Sequence, residues 1–203
     1  MANNFRKKIL FKCIVYCPSN RLRVFMYRSF FNYRIGKNTY IGKSVINAKE
    51  VHIGDDVIIK DHTNISCGQL TIGKQTRILS GNTIIGQGNF SIGENSRIIN
   101  NHFIDVWNNV AIGNNTWLAG RDSQLWTHGS IHTKKGDKKL SIQLGNDIYV
   151  GSNVNIAPGV VIGDTNLIGL GSVITSSFPD NRTIIAGNPS KVIKENIDWR
   201  ENW

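Results

Sequence analysis

From residue 144 to residue 174 an aliphatic side chain returns at every sixth position: Leu144, Val150, Ile156, Ile162, Ile168 and Ile174. Gly145, Gly151, Gly163 and Gly169 each follow one of these positions. A period of six fits neither the period of about 3.6 of a helix nor the alternation of an isolated strand. It predicts a solenoid of short strands and tight turns, with one inward aliphatic residue per flat side and a small residue at the corner.

Three such sides make one triangular coil, and the same layout runs back toward the N-terminus. Ile35, Ile41 and Asn47 begin it, followed by Ile53, Ile59 and Ile65, then Ile72, Ile78 and Ile84, then Ile92, Ile98 and Ile104. Ile112 and Leu118 start the next coil; Leu144, Val150 and Ile156, then Ile162, Ile168 and Ile174, complete the series. Extra residues gather between a third side and the next start, the way a repeat array grows a loop without breaking its stack. Asn47 is a polar exception at an expected inward position. The expected fold is all-β, about seven triangular coils over residues 33–178, each completing its neighbour's core. A helical segment over residues 1–32 precedes it. A closing turn, a short helix over 190–196 and a tail fill residues 179–203.

The largest departure from the period lies between Leu118 and Leu144, where the chain advances 26 positions. It makes one side of the coil and then leaves as a Lys-rich excursion over residues 129–143. His128, in the run WTHGS, stands where the excursion departs. An imidazole with an ordinary pKa of about 6.5 can take a proton from a hydroxyl and return one to a leaving group.

Residues 5–31 read as two amphipathic helices separated near Pro18, with Ser19 or Asn20 as the cap of the second. In that helix Leu22, Phe25, Met26 and Phe30 share a face opposite Arg21 and Arg28. This face fits a cap on the open end of the solenoid, and the same composition fits contact with an anionic membrane. Charge sharpens that choice. Of the 24 Lys and Arg residues, eleven fall within residues 1–49, which hold no Asp or Glu; the remaining 154 carry thirteen bases against fourteen acids. A localised basic surface points to anionic lipid or a phosphorylated substrate, and no aromatic-basic track for nucleic acid runs along the coils.

Cys13, Cys17 and Cys67 lack paired ligand spacing and read as reduced, mostly buried thiols of a cytoplasmic protein. No apolar run is long enough to span a bilayer. The histidines do not cluster with Cys and carboxylates as a zinc site requires, and His52 and His62 read as turn or face residues.

The repeat and the stretch VVIGDTNLIGLGSVITSSFPDNRTIIAGNPSKVIKE resemble the hexapeptide-repeat acyltransferases, and within them the galactoside, maltose and polysaccharide O-acetyltransferases. The resemblance covers about residues 33–193 and implies left-handed coils, an exception to the usual handedness of parallel crossovers. It implies acetyl-CoA as acyl donor, a sugar hydroxyl in a bacterial capsule, lipopolysaccharide or lipid-linked precursor as acceptor, and a homotrimer with sites between subunits. It also implies His128 as general base for direct transfer, with a backbone N–H near Ser152 as oxyanion donor.

Asn101, His102, Asp105, Arg121, Asp122 and Trp126 are then candidates for the acceptor side. Asp105 and Asp122 are also candidates for orienting the imidazole. Tyr149, Gly151, Ser152, Ala157, Gly169, Leu170, Thr175, Ser176 and Lys191 are candidates for the donor side, the small residues among them leaving room for a pantetheine arm. Leu170 and Ser176 depart from the alanine and lysine frequent there. His132 is a second candidate for the base or a contact for the 3'-phosphate of CoA, and the loop residues Lys134, Lys135, Lys138 and Lys139 are candidates for phosphate or an anionic glycan. An N-acetyltransferase acting on an amino or nucleotide sugar and a non-enzymatic β-helical scaffold are the competing readings. The expected location is the cytoplasm, with contact at the inner face of the membrane where the basic segment binds it.

Overall fold

The computed structural model describes residues 2–129 and 140–201, with side chains from residue 6 onward. Two helices, α1 (Ala2–Tyr16) and α2 (Asn20–Phe31), lead into a left-handed parallel β-solenoid of about seven turns. Every side is stacked in register on the equivalent side of the next coil. On the first side Ile53 pairs with Ile72, Ile72 with Ile92, Ile92 with Ile112, and Ile112 with Leu144. On the second side the column runs through Ile41, Ile59, Ile78, Ile98, Leu118, Val150, Ile168 and Ile185. The third side carries Ile46, Ile65, Ile84, Ile104, Leu125, Ile156 and Ile174. These columns are buried and form one continuous core, so each coil supplies half of its neighbour's apolar contact.

The corners explain the turn residues. Asn115 and Asn153 adopt φ of 52° and 56°, the left-handed region that Asn tolerates. Asn114 and Asn146 act through their side chains instead: Asn114 Oδ1 accepts from Glu94 N–H at 2.8 Å, and Asn146 Oδ1 from Asn114 N–H at 2.8 Å. Asn166 is buried, and its amide donates to the Gly163 and Asp180 carbonyls. Thus the polar corner residues satisfy backbone groups that no strand pairs.

Three sequence expectations are corrected. The inward residue of the first coil is Ile46, fully buried; Asn47 points outward and its amide donates to Ser66 Oγ at 3.2 Å. A five-residue side, rather than a tolerated polar core residue, accounts for the apparent exception. The coil begun by Ile112 and Leu118 does complete its third side, through strand Gln124–Leu125, before the chain leaves. Gly120 (φ 63°) and Asp122 (φ 61°) take up the added residue that moves the inward position to Leu125. At the other end, residues 190–194 are not helical: Ser190–Lys194 is a strand antiparallel to Ile184–Gly187, a hairpin that gives the last coil's edge a partner.

The helices close the opposite edge. Ser19 caps α2, its hydroxyl accepting from Leu22 N–H at 3.4 Å. The face turned to the first coil is Arg23, Val24 and Tyr27, with Met26 partly buried against the core, while Leu22, Phe25 and Phe30 of the predicted face are exposed. The reason is the unpaired backbone of the first coil, which takes polar partners. Arg23 Nε donates to Ile41 O at 2.8 Å, and Tyr27 Oη donates to Ser44 O at 2.9 Å while accepting from Ile46 N–H at 3.0 Å.

Cys17 and Cys67 are buried and Cys13 is exposed; all three are free. Burial pushes the Cys67 thiol up to about 11.

Candidate functional site

The stacking register brings the proposed chemistry together. Ile104 lies against Leu125, and Leu125 against Ile156. Continuing each strand outward therefore sets Asp105 over Trp126, and Trp107 over His128 one coil further along. Asp105 is almost entirely buried, and its Oδ2 accepts three hydrogen bonds. The donors are Thr127 N–H at 2.9 Å, Thr127 Oγ1 at 2.7 Å and His128 Nδ1 at 2.8 Å. Burial raises the Asp105 pKa, but the Thr127 hydroxyl, the His128 contact, the Thr127 amide and the charge on His128 together bring it below the ordinary carboxylate value. An ionised carboxylate only accepts hydrogen bonds, so Nδ1 carries a proton, and in the neutral form of the imidazole Nε2 is the nitrogen with the lone pair.

Thr127 is fully buried and ties this pair to the coil above, accepting from Asn108 N–H at 2.9 Å while Asn108 Nδ2 donates to its carbonyl at 2.7 Å. The His128 side chain remains 41% exposed. It borders a cleft of about 310 Å³ lined by Trp126, Gly129, Asn155, Ala157, Pro158 and Val173. The Trp107 ring lies 5.5 Å from the imidazole and is half exposed, and Trp126 stacks near Phe103 at 4.9 Å.

Of the predicted residues, the fold gathers Asp105, Trp126, His128 and Ala157 here. Thr175 and Ser176 follow strand Val173–Ile174 at the same corner, further down the column. Asp105 is the carboxylate that meets the His128 imidazole. Asp122 forms an ion pair with Arg121 Nε at 2.9 Å instead.

The remaining predictions fall elsewhere. Asn101, Arg121 and Ser152 line an open groove of about 670 Å³ at the corner between the second and third sides. Ser152 Oγ there accepts from Arg121 N–H at 3.3 Å, so within one chain no backbone N–H near Ser152 belongs to the His128 corner. His102 does not line that groove. It is buried in the corner, where Nδ1 accepts from Ser123 N–H at 3.1 Å. Burial lowers its pKa to about 4, against the opposing pull of Asp122 and nearby backbone carbonyls; the imidazole is a structural neutral group in a column with Asn82 and Ser123.

Gly151 and Gly169 abut the following coil, since a Cβ on them would lie 2.7 Å from Leu170 N and 2.9 Å from Ala186 Cβ. They are small because successive coils pack there. Leu170, by contrast, is 80% exposed, and Gly171 beside it has open space around it. Tyr149 lies on the second side in an aromatic group with Trp117 and Trp199. Lys191 lies on the closing hairpin.

His132, Lys134, Lys135, Lys138 and Lys139 lie outside the described residues. Of the other histidines, His62 occupies a left-handed turn position and His52 a strand face near Glu50. Among the described residues no group of three His, Cys, Asp or Glu side chains is placed to share a metal ion.

Thr127, Asn108 and Trp107 were not identified from the sequence. The 21-residue offset from Ile104 to Leu125 is the signal that aligns Trp107 with His128. It is hidden when the coil is counted in strict sixes.

No family model matches the chain. It is 48% identical over 54 residues to the galactoside O-acetyltransferase of Escherichia coli, covering 27% of this chain and 26% of that protein. It is 40% identical over 55 residues to WbbJ of Escherichia coli, assigned provisionally as a lipopolysaccharide biosynthesis O-acetyl transferase, covering 27% and 28%. The chain thus matches about a quarter of the length of these curated relatives. Among solved structures, AntD, an N-acyltransferase of Bacillus cereus determined as a point mutant with dTDP and coenzyme A, superposes with a TM-score of 0.51. It is 18% identical over 85% of this chain and 88% of that one, a likeness of fold.

Proposed function

We propose that this chain, a hexapeptide-repeat left-handed β-helix related through part of its length to sugar O-acetyltransferases, transfers acetyl from acetyl-CoA to a sugar hydroxyl. The acceptor class is a bacterial surface polysaccharide or its lipid-linked precursor. The observation that carries this reading is the Asp105–His128 pair at the edge of the cleft. A buried carboxylate fixes one imidazole nitrogen as a donor and leaves the other as a base.

Acetyl-CoA supplies a thioester carbonyl and a thiol leaving group. His128 Nε2 takes the acceptor's hydroxyl proton as its oxygen bonds to the acetyl carbon and the carbon–sulfur bond breaks. The same nitrogen then passes that proton to the departing sulfur, so the imidazole ends neutral. Asp105 stabilises the transient imidazolium without taking a proton itself. Ala157, Pro158 and Val173 give the cleft apolar walls and Asn155 contributes an amide, a lining suited to a thin amide-bearing arm. Trp107 and Trp126 offer aromatic faces for a pyranose ring.

The placement of the candidate residues supports a shared site between copies of the chain. Apart from Tyr149 and Lys191, the donor-side residues divide between the His128 corner and the opposite corner of the same prism face, where Leu170 projects. A homotrimer in which the Leu170 corner of one copy borders the His128 cleft of the next would join them.

The test is incubation of the purified protein with acetyl-CoA and a panel of bacterial glycans, with products located by mass spectrometry and NMR. An ester on a sugar oxygen is expected. An acetamide product assigns the chain to amine acylation, and no transfer to any acceptor, with no acetyl-CoA binding, leaves the scaffold reading.

A further inference from the structure

The helical cap has two apolar faces, and the solenoid uses only one. Inward, Ile14, Val24 and Tyr27 are buried and join the core, and Arg23 and Tyr27 satisfy the first coil's backbone. A cap that does nothing but close a solenoid presents a polar outer face. Here Leu22, Phe25 and Phe30 of α2 are 49%, 58% and 58% exposed, and Ile9 and Tyr16 of α1 are 45% and 80% exposed.

Cations surround these side chains. Arg6, Lys8 and Lys12 are exposed on α1, as are Arg21 and Arg28 on α2. Arg21, Arg28 and Lys37 also border an open groove of about 600 Å³ between α2 and the first coil. No acid lies within residues 1–49 to neutralise them. The complementary surface is one that is negative outside and apolar just beneath, which describes an anionic bilayer.

We infer that the outer face of α1 and α2 binds the surface of an anionic phospholipid bilayer. Leu22, Phe25, Ile9 and Tyr16 enter the headgroup boundary, and the surrounding Lys and Arg meet lipid phosphates. No helix among the described residues is long and apolar enough to cross a membrane, and the contact is peripheral. The inference stands on the cap alone and not on acetyl transfer, although a lipid-linked acceptor would be presented at the same surface.

The experiment is co-sedimentation of the full chain with phosphatidylcholine vesicles, with and without roughly one third phosphatidylglycerol. The expected result is binding at least about tenfold tighter to the anionic vesicles. Two exposed double variants, L22S/F25S and K12Q/R21Q, should each weaken it about tenfold at unchanged melting temperature and oligomeric mass. Equal affinity for both vesicle types, or no binding to either, overturns the inference. So does full binding by L22S/F25S, which reduces the contact to charge adsorption. A lower oligomeric mass for L22S/F25S also overturns it, because the face then joins copies of the chain.

Discussion

His102 and His128 stand at the two ends of the same prism face, one where the second side turns into the third and one where the third turns into the first. At His102 the ring is sealed inside the coil; Nδ1 accepts a backbone N–H, and burial holds the pKa near 4. At His128 the ring is partly exposed, and Nδ1 donates to a buried carboxylate. The polar partner therefore decides the role. A backbone donor makes the histidine a spacer in a hydrogen-bonded column, whereas a carboxylate acceptor leaves the other nitrogen available for the base role proposed for His128 at the cleft.

Substitution at the two corners should separate these roles. His128→Ala is expected to lower kcat about a thousandfold, with melting temperature little changed, since it removes the proton carrier from an exposed ring. Asp105→Asn should cost about a hundredfold in kcat and about 1–3 kcal/mol of stability, because Thr127 and His128 lose a charged acceptor. The sign of its pH dependence follows from the lowered Asp105 pKa. Its stabilisation is present above the ordinary carboxylate value and lost as pH falls through the lowered folded value. The gap between wild type and Asp105→Asn in urea unfolding should accordingly narrow in acid.

Trp107→Ala tests the surface beside the base; the acceptor KM should rise about tenfold with the donor KM unchanged. If both move together, Trp107 orders the cleft rather than the sugar. The smallest effect on turnover belongs to the other corner, where His102→Asn should stay within about twofold of wild type. Its signature is in stability. The unfolded imidazole binds a proton below about pH 6.5 and the folded one resists until about 4, so wild-type stability falls across that window by up to about 3 kcal/mol. His102→Asn should flatten the fall; an unchanged slope places the titration elsewhere.

Most of the coil was legible because one aliphatic residue per side is an unavoidable demand of the stack. What the period of six could not resolve was side length. Ile46 and Leu125 come one residue before and one after the counted positions, because a corner absorbs or adds a residue without moving the core column. That shift hid the completed third side, and with it the alignment of Trp107 on His128. His128 itself was visible as the histidine at the break. Asp105 and Asp122 were both candidates to orient it, with Asp122 alternatively fixing Arg121, since only the three-dimensional stack sets Asp105 beside Thr127 and sends Asp122 to Arg121. Gly151 and Gly169 show a general ambiguity: a glycine that admits a neighbouring coil and one that admits a ligand look identical in sequence. The outer face of α2 was ambiguous in the same way, as an amphipathic pattern marks an apolar stripe without saying which partner covers it.

The proposed base stands at the excursion's root, and the measurement that reaches it most directly is kcat/KM for acetyl transfer by wild type and His128→Ala, compared at matched secondary structure, melting temperature and oligomeric mass. A loss of about a thousandfold is predicted. Transfer by a correctly folded His128→Ala protein at the wild-type rate would contradict it, and would move the proton transfer to another group.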